Sequence, residues 1–167
     1  MDLDLNFDQV DELLSKKEAE KEIKYGTILI VDDEPNNVTS LSQILKHDYN
    51  IVSSTDPREA LELFKSEKID LILTDQRMPG LLGTELLQAI REQSEDTVNL
   101  ILTGYTDSED LIQCINQGLI YRYLVKPWNS GELRSIVEQA MEKLNRDRMI
   151  RKIIPTQIVN RMYGGIL

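Results

Sequence analysis

The sequence predicts an α/β fold in which a five-stranded parallel sheet carries helices on both faces, a doubly wound arrangement. Short apolar runs such as ILIV (28–31) and LILT (71–74) are typical of buried parallel strands. Segments with helical spacing of apolar residues alternate with these runs, and this alternation indicates parallel strands joined by right-handed crossovers. The alternation alone leaves the order of the strands within the sheet open.

Each element has a local signal. The predicted strands cover 27–31, 50–53, 69–74, 98–103 and 121–125. Helices are predicted to begin near Pro35 and Pro57, where proline suits a first helical turn, and further helices to cover 84–93 and 107–117. Asn129 opens the last helix, with Glu132 three residues later in a capping-box arrangement. Five strands and five helices therefore make up the central part of the chain.

Composition divides the chain into three regions: 1–24, 25–144 and 145–167. The first carries Leu3, Phe7, Val10 and Leu14 at spacings of four, three and four, which predicts an amphipathic helix. That helix either packs on its own domain or docks on a partner, and the sequence leaves both open.

The last region, 145–167, is predicted to be a helical linker or the start of an output region. The final helix is expected to run past Leu144, and its apolar residues Met149, Ile150, Ile153 and Ile154 are too many for a solvated tail. A parallel two-helix homodimer would cover them, and the alternative is a tail folded back on its own domain.

The bulk composition restricts the partners and the compartment. A net charge of −10 and a pI of about 4.6 argue against nucleic acid and against anionic membranes. No apolar run approaches the roughly 20 residues that span a bilayer, and the N-terminus lacks the features of a secretory signal. The single cysteine, Cys114, fits a reducing cytoplasm. The sequence therefore predicts a cytoplasmic protein.

Polar residues follow the apolar strands at the edge where parallel strands end. Asp32 and Asp33 follow the first strand and Asp75 follows the third, and these strands are neighbours in a doubly wound sheet. Clustered carboxylates repel one another unless a cation is present, and hard oxygen ligands suit Mg²⁺. Thr103 and Lys126 end the next two strands. The sequence therefore predicts a site for a divalent cation and a phosphoryl group.

Four motifs carry a resemblance to a known family: VDDEP (31–35), DQRMPG (75–80), LILTG (100–104) and LVKP (124–127). Together they closely resemble the CheY-like receiver domain of two-component response regulators, over roughly Tyr25 to Leu144. The resemblance implies a flavodoxin-like strand order, 2-1-3-4-5. It also implies that Asp75 is the phosphoacceptor and that Mg²⁺ is held by Asp33, Asp75 and the backbone carbonyl of Arg77, with Asp32 helping through water.

The same resemblance assigns the remaining residues. The hydroxyl of Thr103 would contact a phosphoryl oxygen, and Gly104 leaves room for that oxygen. Lys126 would supply a charge to the same group. The Lys126–Pro127 bond is expected to be cis. Tyr123 would be the switch aromatic that moves inward as Thr103 closes on the phosphate.

The implied function is to accept a phosphoryl group from the phosphohistidine of a sensor histidine kinase or phosphotransfer protein, and to relay a conformational signal. This is self-phosphorylation and autodephosphorylation chemistry rather than conventional enzymology. The alternative is a receiver-shaped adaptor that works without phosphorylation. A haloacid-dehalogenase-type phosphatase would need a second acid two residues after the nucleophile, where Arg77 stands. A flavodoxin phosphate loop and a P-loop cassette are missing from the sequence as well.

The output is open at this stage. The sequence shows no DNA-binding segment after residue 144. KPW (126–128) and the long last helix are similar to receivers fused to cyclic-nucleotide cyclases or phosphodiesterases, and IIPTQIVNRM (153–162) resembles the segment before some class III cyclase domains.

Overall fold

The computed structural model describes residues 24–104 and 108–153. A parallel sheet is formed by β1 (Thr27–Val31), β2 (Asn50–Ser54), β3 (Leu71–Asp75), β4 (Val98–Thr103) and β5 (Arg122–Val125). The strand order is β2-β1-β3-β4-β5, with every neighbouring pair parallel. The predicted fold class is confirmed, and so is the strand order that the resemblance implied.

Within the part of the chain that the structure describes, five helices cover the two faces of this sheet. They are α1 (Pro35–Leu45), α2 (Pro57–Ser66), α3 (Gly83–Arg91), α4 (Ser108–Asn116) and α5 (Ser130–Ile153). Buried residues of α1 and α5 pack in one apolar cluster, while those of α2, α3 and α4 pack in a second one. Ile28 and Ile30 of β1 belong to the first cluster and Leu29 belongs to the second. Both faces of the sheet are therefore buried, which explains the continuous apolar runs of the strands.

The helix starts agree with their local signals. The side chain of Asp56 accepts the N–H of Arg58 at 2.8 Å, ahead of Pro57. The side chain of Asn129 accepts the N–H groups of Gly131 and Glu132 at 2.8 and 3.1 Å. These bonds satisfy donors that have no partner within a first helical turn.

The segment between β3 and the next helix contains two short strands, where the sequence analysis predicted no strand. Arg77–Met78 and Leu81–Leu82 form a short antiparallel pair, and Gly80 at its turn has a φ of +82°. Glycine adopts such a φ without the steric cost that other residues have. Helix α3 then begins at Gly83, one residue before the predicted start.

The last helix continues beyond the predicted domain boundary at residue 144 and remains attached to the body of the domain. The Nη1 atom of Arg148 lies 2.7 Å from Asp70 Oδ1. Its Nε is 3.1 Å from both carboxylate oxygens of Asp96, and its Nη2 donates to the Asp96 carbonyl at 3.0 Å. Arg151 adds a contact to Asp96 Oδ1 at 3.2 Å. Asp70 and Asp96 precede β3 and β4, so this cluster lies at the edge where the strands begin.

The other side of the same helix end is exposed. Met149, Ile150 and Ile153 are 62, 53 and 69 % exposed. These are three of the four apolar residues for which the sequence predicted a covering partner. The fourth, Ile154, lies outside the described residues. So do residues 1–23 of the predicted N-terminal helix (1–24) and residues 154–162 of the cyclase-like segment (153–162).

Candidate functional site

Three carboxylates meet where the central strands end. Asp32 and Asp33 follow β1, and Asp75 is the last residue of the adjacent β3. One oxygen from each lies within 4.8 Å of the other two, an arrangement that could hold a metal ion. Asp32 and Asp75 are buried, while Asp33 is exposed. The parallel pairing of β1 with β3 brings these sequence-distant residues to the same edge, as the sequence predicted.

Hydrogen bonds orient the carboxylate of Asp32. Its Oδ1 accepts the N–H of Glu34 at 2.9 Å, and its Oδ2 accepts from the Asn37 side chain at 3.0 Å. Both donors belong to the start of α1, which begins with Pro35. The first turn of α1 therefore fixes a carboxylate that the strand alone would leave free to rotate.

Lys126 reaches the same carboxylates from the end of β5, the edge strand beside β4. Its Nζ lies 2.8 Å from Asp75 Oδ1 and 3.3 Å from Asp32 Oδ2. The backbone N–H of Lys126 donates to the Thr103 carbonyl at 2.8 Å, and the Lys126–Pro127 bond is cis, as the resemblance implied. The ammonium is thus shared between two anions.

The hydroxyl of Thr103 also lies at this edge. It donates to the Gly104 carbonyl at 2.8 Å, and the Thr103 side chain is buried. A Cβ added at Gly104 would meet nothing within 4 Å, so there is open space beside the hydroxyl. This agrees with the expected room for a phosphoryl oxygen.

These residues surround a pocket of about 310 Å³. Its lining consists of Asp32, Asp33, Glu34, Asp75, Gln76, Arg77, Thr103, Gly104 and Lys126. Four of these nine side chains are acidic and two are basic, so their formal charges sum to −2. The pocket is therefore short of positive charge, which suits a divalent cation.

The protonation of Asp75 reflects this charge balance. Burial raises the pKa of the Asp75 carboxyl, Lys126 opposes the rise, and Asp32 adds to it, so the net shift is upward. Burial lowers the pKa of Lys126, but its bonds to Asp75 and the charge of Asp32 raise it overall. A single protonated lysine does not compensate two buried carboxylates.

Two residues that support Asp75 were missed by the sequence analysis. The buried side chain of Gln76 accepts the N–H of Thr84 at 3.1 Å, and the N–H of Gly83 donates to the Gln76 carbonyl at 2.9 Å. A Cβ on Gly83 would overlap the carbonyl oxygen of Asp75. Gly83 therefore lets the start of α3 pack directly against the backbone of the phosphoacceptor candidate. The glycine at residue 83 was the only signal for this contact, and it is visible in the sequence.

The remaining predicted site residues lie farther from the carboxylates. Arg77 is exposed and lines the pocket. Tyr123 is half-buried on β5, paired in register with Ile101, and packs in the apolar cluster of α2, α3 and α4. It is absent from the lining of the pocket, so the structure does not bring it to the carboxylates.

The fold and this set of side chains define a receiver domain. A family model for the response regulator receiver domain matches residues 28–138, and the chain belongs to that family. No helix in the described part of the chain is both long and apolar enough to cross a bilayer.

Individual relatives agree with this class. The chain is 40 % identical over 119 residues to the hydrogenase transcriptional regulatory protein HoxA of Cupriavidus necator, covering 71 % of this chain and 25 % of HoxA. It thus spans about a quarter of that relative's length. A solved structure of adenylate cyclase from Rhodopirellula baltica matches with a TM-score of 0.73 and 29 % identity, covering 77 % of this chain and 96 % of that one. A signal receiver domain of an HD domain-containing protein from Pseudomonas fluorescens matches with a TM-score of 0.68 and 34 % identity, covering 72 % and 98 %.

Proposed function

We propose that Asp75 accepts a phosphoryl group from the phosphohistidine of a sensor histidine kinase or a phosphotransfer protein. The observation that carries the proposal is the contact of Asp75 Oδ1 with Lys126 Nζ, at 2.8 Å, in a pocket that Asp32 and Asp33 also line. An oxygen of Asp75 attacks phosphorus, the phosphorus–nitrogen bond to the donor imidazole breaks, and the electron pair stays with the imidazole. The product is an acyl phosphate on Asp75.

The acidic set fits Mg²⁺. Asp33 and Asp75 would hold it directly with the backbone carbonyl of Arg77, and Asp32 would act through water. The support is the hard oxygen chemistry of three carboxylates within 4.8 Å and the net negative lining of the pocket. When bound, Mg²⁺ would neutralise charge on the transferring oxygens.

Lys126 and Thr103 would then bind the new phosphoryl group. Lys126 already contacts the attacking carboxylate, so its ammonium is placed to pair with phosphoryl oxygens. The Thr103 hydroxyl would exchange its bond to the Gly104 carbonyl for one to the phosphoryl group. We propose that this movement of Thr103 lets Tyr123 turn inward, which carries the signal toward α5.

Labelling with acetyl phosphate tests the chemistry. Intact-protein mass spectrometry should show one acid-labile phosphoryl group that requires Mg²⁺, because the carboxylates repel the donor without a cation. Asp75→Asn should abolish the label, and Asp33→Ala should lower it at least about tenfold by weakening metal binding. The matched control is Glu62→Gln, which removes an exposed carboxylate on α2 and should label like the wild type.

Two outcomes would contradict the assignment. Full labelling of Asp75→Asn would show that another residue accepts the group. No labelling of the wild type, with folded protein and excess Mg²⁺, would favour the adaptor that works without phosphorylation.

The relatives carry different outputs, so the proposal stops at the relay of a conformational change to an output domain or a partner. HoxA is a transcriptional regulatory protein, whereas another matching structure is an adenylate cyclase. A cyclic-nucleotide output is consistent with the second of these. We propose the cytoplasm as the compartment, because the phosphohistidine donor acts there.

A homodimer through the end of α5 is a second proposal, favoured by the exposure of Met149, Ile150 and Ile153. Charge weakens it. Residues 143–153 contain five basic residues and one acidic residue. Three of the basic residues are ion-paired within the domain, and two parallel copies would bring Arg146 and Lys152 of each copy close together, where they repel.

A further inference from the structure

The end of α5 is fixed in place on one side and uncovered on the other. Arg148 ties it to Asp70 and Asp96, while Met149, Ile150 and Ile153 point away and are more than half exposed. Covering apolar side chains removes them from water, which is favourable in proportion to the area covered. The end of α5 is therefore held in place and presents an exposed apolar surface that another apolar segment could bind.

The exposed side of α5 extends along the helix to Met141, which packs beside Gly26 near the first described residue. Met141, Asn145, Met149 and Ile153 follow one another at intervals of four, so they form one stripe along α5. The stripe begins against Gly26, where an added Cβ would lie 2.5 Å from the terminal methyl of Met141. Tyr25, the residue before Gly26, lines one cavity together with Met141 and Asn145 and so lies beside the stripe.

Lys24 and Tyr25, the first described residues, are hydrogen-bonded to the backbone that follows α1. The Lys24 ammonium donates to the carbonyls of Lys46 and His47, each at 2.6 Å, and the N–H of Tyr25 donates to the Asp48 carbonyl at 2.8 Å. These bonds anchor the chain to the end of α1. The N-terminal segment thus starts from a defined position next to α5.

We propose that residues 3–14 of the same chain bind along the exposed side of α5, covering Met149, Ile150 and Ile153. Their Leu3, Phe7, Val10 and Leu14 have helical spacing and supply an apolar stripe. Residues 1–14 hold five acidic and no basic residues, whereas residues 143–153 hold five basic residues and one acidic residue. Three of these basic residues are ion-paired within the domain, so Arg146 and Lys152 supply the charge for the acidic segment. The two segments are complementary in both charge and apolar pattern.

The connecting residues are long enough for this contact. Nine residues, 15–23, separate Leu14 from Lys24. Fully extended they reach about 30 Å. The stripe from Met141 to Ile153 is only about 18 Å long at helical rise. The segment can therefore reach any part of the exposed side without disturbing its anchor at Lys24.

Hydrogen–deuterium exchange of the full chain tests the contact. Phe7→Asp places a charge on the apolar stripe and should raise the exchange rates of amides 147–153 about tenfold or more, because the cover is lost. Gln9→Asp adds the same charge to the same segment away from the stripe, and its exchange should equal that of the wild type. Both variants should still accept the phosphoryl label at Asp75, so a failure of this contact is separable from a failure of the site.

Sedimentation of the same three proteins identifies the occupant. A monomeric wild type, with exchange that depends on Phe7 but not on Gln9, supports the proposal. Equal exchange in the wild type and Phe7→Asp overturns it. A dimer that persists in Phe7→Asp overturns it in favour of a second α5, and a dimer lost in Phe7→Asp overturns it in favour of a segment exchanged between copies.

Discussion

Two groups of charged side chains lie at opposite edges of the sheet, and their charges are balanced differently. Where the strands end, the pocket lining holds four carboxylates and two cations. Where the strands begin, Asp70 and Asp96 meet Arg148 and Arg151, two anions with two cations. The first group has a surplus of negative charge, and the second is neutral as a set.

The two groups also differ in what their contacts do to the acids. Burial raises the pKa of Asp75 in spite of its contact with Lys126. At the other edge, the hydrogen bond from Arg148 lowers the pKa of Asp96, against a smaller opposing effect of burial. A surplus of buried anions attracts a further cation, in keeping with the phosphoacceptor role proposed for Asp75. A neutral set needs nothing more, and its effect is to join α5 to the body of the domain.

Removing Arg148 should produce the largest change in stability. Arg148→Met keeps much of the stem but leaves Asp70, which is largely buried, without its guanidinium partner. We expect the free energy of unfolding to fall by about 2 kcal/mol, less than for a fully buried pair because Asp96 is partly exposed. Urea unfolding followed by circular dichroism measures it.

The matched control is Arg151→Met on the same helix. Its side chain is more exposed and makes one 3.2 Å contact with Asp96, so we expect a loss below about 0.5 kcal/mol. Equal losses in the two variants would contradict the idea that Arg148 is the main link between α5 and the domain.

The sequence predicted one of these two groups and missed the other. Asp32, Asp75 and Lys126 each follow an apolar run, and parallel pairing brings the ends of such runs together. Asp70, Asp96 and Arg148 belong to no motif and are separated by 26 and 52 residues. Their meeting depends on the angle at which α5 crosses the sheet, which no local pattern encodes.

A similar limit applies to the backbone around Asp75. The five strands and five helices followed from apolar periodicity and caps, since both faces of the sheet are buried. The antiparallel pair at 77–82 has only two residues per strand, too few for a period to be visible. The contact of Gly83 with the Asp75 backbone depends on the close approach of two segments that only tertiary packing determines.

The contrast in charge balance predicts effects of opposite sign when one carboxylate is removed from each edge. In buffer with a chelator, Asp33→Asn should raise the free energy of unfolding by up to about 1 kcal/mol, because it relieves repulsion with Asp32 and Asp75. Asp96→Asn should lower it by about 1 kcal/mol, because Arg148 loses one of its two ionic partners and keeps only Asp70. Thermal unfolding of both variants with the wild type measures the difference.

Adding Mg²⁺ should then raise the free energy of unfolding only of the proteins whose metal site is intact. The wild type and Asp96→Asn should be stabilised by metal binding, whereas Asp33→Asn should gain much less. If Asp33→Asn is destabilised in the chelator, or gains as much from Mg²⁺ as the wild type, the surplus of negative charge does not govern this site.

The smallest expected effect is a dependence on pH at the edge where the strands begin. Because Arg148 lowers the pKa of Asp96 in the folded protein, the unfolded chain takes up a proton there first as the pH falls. The stability that Asp96 contributes is therefore complete above about pH 5 and is lost as the pH falls below about 4 toward the folded pKa. The difference in unfolding free energy between the wild type and Arg148→Met should stay constant from about pH 5 to 8 and shrink below about 4. Taking this difference cancels the titration of Asp75, which is common to both proteins. A difference that stays constant below about pH 4 would mean that Arg148 stabilises α5 by packing, which does not titrate, rather than through the Asp96 carboxylate.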